Sequence, residues 1–154
     1  MIIVRLAAGV KDHFPARRSE WLLATYLCGW GIILGQPEPL FDTSRAFSGL
    51  RAFASEHTWA WACLLIGAVR LLALLINGTF AHTWYGRYSP HVRGSLAFLS
   101  CFIWTAISIG ILNSGVSSTG LVIYPGLLFL ELTNISEALK DAGEVDRSRR
   151  DASP

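Results

Sequence analysis

Charge is scarce in this chain. Asp, Glu, Lys and Arg make up 16% of its 154 residues, against about 25% in a soluble globular domain. The apolar residues gather into runs instead of alternating with polar ones, which is the pattern of a membrane protein. A net charge of +2 is too small to argue for nucleic acid as a partner. Cysteine is sparse as well: Cys28, Cys63 and Cys101 each lie within an apolar run, with no CxxC and no Cys/His cluster. They read as small, reduced packing residues, and neither a disulfide framework nor a metal site is expected. His82 and His91 stand nine residues apart without a third ligand, and the clustered HxxHH boxes of membrane hydroxylases are missing. No Ser/His/Asp arrangement, HExxH, phosphate-cradling glycine loop or interfacial pair of acids occurs, so neither an enzyme nor a cofactor is expected. The opening MIIVRLAAGVKDHFPARRSE has an early Arg5 and no Ala-x-Ala-like cleavage site, and it reads as a cytoplasmic lead-in. Ile3, Leu6 and Val10 are spaced for a short helix lying flat on a membrane, with disorder as the alternative.

What is present is a set of apolar runs organised around His57–Phe80, HTWAWACLLIGAVRLLALLINGTF. This stretch is long enough to cross a bilayer, yet it carries Arg70 in its middle and Asn77 further along. A lone guanidinium at mid-depth costs roughly 2.5–3.5 kcal/mol on insertion scales, so Arg70 calls for a partner. The other spans are expected near Trp21–Gly35, Ser95–Leu112 and Gly120–Leu139. Gly31 and Gly35 form a GxxxG, a pattern that permits close helix approach or dimerisation. Ser100, Trp104 and Ser108 make a polar-edged stripe whose serines bond back to their own backbone. Pro125-Gly126 should kink the fourth span. Gly143 is expected to stop its helix before a polar, disordered tail.

The expected fold is therefore all-α, a four-transmembrane-helix bundle made of two helical hairpins. The second helix of each hairpin carries a mid-depth charge followed by an Asn, a faint 2+2 repeat. Residues 1–19 form the lead-in, 20–140 the membrane domain and 141–154 the tail. The loop AHTWYGRYSPHVRG joins spans two and three. The loop Gln36–His57 should carry a short interfacial helix through Arg45–Ala54, capped by Asp42, Thr43 or Ser44. Phe47, Leu50 and Phe53 would share its apolar face and offer an outer contact surface; packing on the end of the bundle is the alternative.

Ten Lys and Arg residues fall on the side of the termini and of the middle loop, against Arg45 and Arg51 opposite. This bias puts both termini in the cytoplasm. In that topology spans two and four run in the same direction. Arg70 and Glu131 then lie at matching depths of roughly 18 and 17 Å, and are expected to pair. Asn77 and Asn134 extend them into a polar seam. The seam either fixes helix register, within or between subunits, or lines a path for a proton or ion. No further chain of acids leads from it to a surface.

The strings GAVRLLALLINGTF, PHVR and LFLELTNISEAL, with a Trp in the third span, resemble a loose group of small membrane proteins of tailed phages and prophages. Their members are often labelled holin-like. Arg70, Asn77, Pro90, Arg93, Trp104, Glu131 and Asn134 carry the resemblance. It implies a phage setting and brings no catalytic motif. Three functions follow as expectations: a holin-like protein that oligomerises to permeabilise the membrane, a non-pore anchor for a virion or host protein, or a small transporter or channel built on the Arg70/Glu131 seam. The expected partners are the lipid bilayer and either further copies of the chain or another membrane or virion protein.

Overall fold

The computed structural model describes residues 14–80 and 84–151, without the side chains of residues 16, 77–80, 84–87 and 149. The expected interfacial helix around Ile3, Leu6 and Val10 lies outside the described residues. Every regular element among the described residues is helical. Four long helices dominate: α1 (Arg18–Leu34), α4 (Glu56–Phe80), α5 (Trp84–Asn113) and α6 (Gly120–Asp151). Between α1 and α4 lie two one-turn helices, α2 (Leu40–Thr43) and α3 (Ser48–Arg51), separated by a 3-10 turn at Arg45–Phe47. Two of the long helices are apolar enough and long enough to cross a membrane, α4 over Glu56–Ile76 and α5 over Tyr88–Asn113.

The chain packs as two antiparallel pairs, α1 on α4 and α5 on α6. Small residues set the first pair. A Cβ on Gly31 would fall 2.5 Å from Leu64 Cγ, and one on Gly67 would fall 2.7 Å from Cys28 Sγ. Gly31 thus serves packing inside the chain, because α4 occupies the space that a dimer partner would need. The pairs join through α4 on α5 and, more sparsely, α1 on α6. The core is apolar, with Leu23, Leu27, Cys63, Trp104 and Ile107 fully buried.

One end of the helices is closed by the loop between α1 and α4. The expected continuous helix over Arg45–Ala54 does not form. No side-chain cap supports the 3-10 turn or α3. The Glu56 carboxylate instead accepts the backbone N–H groups of Leu40 (2.9 Å) and Phe41 (3.1 Å) at the start of α2. Leu50 is fully buried against Gly110 of α5, and a Cβ on Gly49 would fall 2.7 Å from Gly110 Cα. Phe47 is half-buried, edge-on to Trp30 and stacked on Phe41. The loop therefore folds down as a cap, because its apolar side chains find partners on α1 and α5. Of the three expected outer contact residues, Phe53 alone remains exposed.

Two boundaries differ from expectation. Helix α5 begins at Trp84, so much of the expected loop before Ser95 is helical, including Pro90 and Arg93. Helix α6 continues through Gly143 to Asp151, and so takes in most of the stretch expected as a disordered tail. A glycine stops a helix by turning left-handed, and Gly115, in the α5–α6 turn, is the one glycine with positive φ among the described residues.

Candidate functional site

Arg70 projects from the middle of α4, where the residues from Leu64 to Ile76 are otherwise Leu, Ile, Ala, Val and Gly. Its side chain turns inward and is 3% exposed. Arg70 Nη1 donates to Glu131 Oε1 of α6 and to Ser100 Oγ of α5 at 2.8 Å. Ser100 in turn donates to Leu96 O at 2.9 Å, and Ser108 to Trp104 O at 2.7 Å, the backward bonds expected of helix serines. Glu131 is fully buried. Two opposite charges so enclosed must be paired, because each alone would bear a desolvation cost of several kcal/mol.

The pair continues along α6. Asn134 Nδ2 reaches Glu131 Oε2 at 3.5 Å, and Asn134 Oδ1 accepts the Ser19 hydroxyl of α1 at 2.6 Å. Ser100, Arg70, Glu131, Asn134 and Ser19 thus form one hydrogen-bonded chain across all four long helices. The side chain of Asn77, the fourth expected member of the seam, lies outside the described residues.

A second charged group lies nearer the helix ends. Arg93 of α5 is 4% exposed and holds Glu20 of α1 with two parallel bonds, Nε to Oε2 at 2.9 Å and Nη2 to Oε1. Its Nη1 donates to Asp141 Oδ2 of α6 at 2.8 Å. The planar guanidinium suits this task, since its donors form a rigid fork matching a carboxylate. Arg17 Nη2 stands 3.8 Å from the same Asp141 oxygen. Burial, followed by the charge of Arg93, pushes the Arg17 guanidinium down from its ordinary range, while Glu20 and Asp141 pull it up. It stays charged, as arginines do.

The sequence pattern alone does not reveal this clasp. Arg93 falls in the expected loop between spans two and three and Glu20 just ahead of the first span, yet both are buried and paired with each other. The sequence did carry one signal. Asp141 follows Asn134 by seven residues, two helical turns along the same face, but the expected end of the span at Leu139 hid it. Asp141, ten residues along α6 from Glu131 and with a side chain 42% exposed, binds Arg93 of the clasp, whereas Asn134 of the seam binds Glu131 and Ser19. Comparison with known proteins finds no family model, no curated protein and no solved structure that matches this chain.

Proposed function

We propose that this chain is a four-span integral membrane protein of a bacterial inner membrane, with both termini in the cytoplasm. In this reading it acts as a non-conducting component that anchors or docks another membrane or virion protein. The observation that carries the membrane part is the inverted distribution of polarity. Large apolar side chains face outward on all four long helices: Ile32 and Ile33 on α1, Trp61 (72% exposed) and Leu65 on α4, Phe102 on α5, Val122 (78%) and Phe129 on α6. The charged residues Glu20, Arg70, Arg93 and Glu131 are inside. In water this arrangement would expose far more contiguous apolar surface than a soluble monomer carries. In lipid it is the favourable one.

The non-conducting part rests on the core. Trp104, Ile107, Leu23 and Leu27 fill the interior, and the charges along the seam are paired across helices rather than lining an opening. Conduction through one copy would require these contacts to break. The holin-like reading, carried by the phage resemblance, is the second one. It needs no path through a single copy, because its lesions would form between copies through the outward apolar faces.

Two measurements test the proposal. Single cysteines at position 53 and at the C-terminus, in a chain without Cys28, Cys63 and Cys101, should react with an impermeant maleimide from opposite sides of the inner membrane. Recovery of the chain in the soluble fraction would refute the membrane reading. Expression at high level should leave the membrane potential intact; rapid depolarisation would replace the anchoring reading with the holin-like one.

A further inference from the structure

The outer side of the α5–α6 pair is not flat. A groove of about 670 Å³ runs between the two helices, within the roughly 300–1,000 Å³ of sites that take small molecules. Its floor is made of small residues. Ala138 and Ala142 of α6 are 1% and 6% exposed, and a Cβ on Gly94 of α5 would fall 3.6 Å from Ala138 Cβ. Its walls are large and apolar: Phe98 and Leu99 on α5 and Leu139 on α6, exposed to 55%, 46% and 64%. From His91 to Leu99 the groove follows α5 for about 12 Å, against about 15 Å of hydrocarbon in one leaflet. Its two ends differ. The deep end, at Phe98, Leu99 and Ile135, is wholly apolar. The other end, on the side of the termini, opens beside His91, whose Nε2 stands 3.8 Å from Asp146 Oδ1 of α6. Positive charge collects around that end by register. Helix α5 has Arg87 one turn before His91 and contains no acid. On α6, Asp146, Arg149 and Arg150 continue the face of Ile135, Leu139 and Ala142 at intervals of three and four.

We propose that this groove binds one anionic phospholipid of the cytoplasmic leaflet, with an acyl chain lying in the slot and the phosphate at the His91 end. The proposal rests on the membrane reading above, with the termini in the cytoplasm. Charge complementarity selects the headgroup: Arg87, Arg149 and Arg150 outnumber Asp146 on the two faces that meet there, and basic residues at the cytoplasmic surface attract anionic lipids. Shape selects a narrow occupant. Close approach of a second helix needs small residues at the contact, and here Phe98 and Leu139 would meet it before it reached Gly94 and Ala138. An acyl chain passes between them.

The test uses the full chain purified in a mild non-ionic detergent and titrated with phosphatidylglycerol or phosphatidylcholine carrying identical acyl chains. Native mass spectrometry counts the lipids retained. The expected result is one phosphatidylglycerol held about tenfold more tightly than phosphatidylcholine, with most of that preference lost in Arg149→Gln/Arg150→Gln. In nanodiscs, phosphatidylglycerol with a photoreactive diazirine in its acyl chain should label Phe98, Leu99 and Leu139 in preference to the outward residues Ile32, Leu65 and Val122. Gly94→Leu fills the slot and should abolish that preference; if this variant does not fold, the labelling pattern of the unaltered chain decides. Equal retention of the two lipids, a preference unchanged in the double arginine variant, or labels spread evenly over all outward faces would overturn the inference. So would capture of another polypeptide by a benzophenone amino acid at position 139 in cells, which would give the groove to a protein. These outcomes leave the membrane reading standing, whereas a chain that stays in solution without detergent removes both.

Discussion

Replacing Arg70 and Glu131 separately and together distinguishes a structural ion pair from a dispensable one. Both side chains are buried, at 3% and 0% exposure, and each is the other's counter-charge. Arg70→Leu leaves the Glu131 carboxylate enclosed without its counter-charge, and Glu131→Leu strands the guanidinium beside Ser100. Removing one member of a buried pair costs about 3–5 kcal/mol. The double variant removes both charges and puts apolar side chains in a core already lined by Leu and Ile. Such replacements are often neutral or stabilising by about 1–4 kcal/mol. Here the gain is reduced by roughly 1 kcal/mol, because Ser100 and Asn134 each lose a partner. The double variant is therefore expected within about 3 kcal/mol of the parent, against a summed loss of about 6–10 kcal/mol for the singles. Reversible unfolding in mixed micelles with increasing SDS, followed by far-UV circular dichroism, measures all four proteins. Single variants within about 1 kcal/mol of the parent, or a double variant as unstable as the sum of the singles, would refute the reasoning.

Other outcomes can be read in the same assay. Arg93→Gln should cost about 3–5 kcal/mol by leaving Glu20 buried and unpaired, whereas Asp141→Asn, at a half-exposed site, should cost below about 1 kcal/mol. Gly49→Ala should destabilise by about 1–3 kcal/mol, since its methyl would meet the backbone of Gly110. Leu50→Ala should cost about 2–5 kcal/mol, while Phe53→Ser stays within about 0.5 kcal/mol. Gly143→Ala should stabilise by about 0.5–1 kcal/mol, because the residue is helical and a Cβ there meets nothing within 4 Å.

The helical class and the meeting of Arg70 with Glu131 were legible because both follow from one-dimensional rules, apolar run length and counted depth. The clasp around Arg93 was not. Pro90 and Gly94 next to it read as loop residues, and Pro90 has no N–H to offer the carbonyl of residue 86. Contacts from α6 outweigh that local penalty: Ala138 lies 3.6 Å from where a Gly94 Cβ would be, and Asp141 binds Arg93. The cap over the helix end was hidden for a similar reason. Phe47 and Leu50 have the spacing of an amphipathic helix, but their partners Trp30 and Gly110 are distant in sequence. Local periodicity cannot tell a side chain that faces lipid from one that faces a neighbour.

The continuation of α6 through Gly143 to Asp151 has a mechanical result. Its 32 residues make a rod of about 48 Å, with Asp141 and Glu131 fixed to it ten residues apart. Because α6 stays helical through Gly143, its far end around Arg147 and Asp151 is joined by continuous helix to both arginine attachments. Any protein gripping that end holds a lever whose fulcrum is the clasp and whose short arm ends at the buried carboxylate.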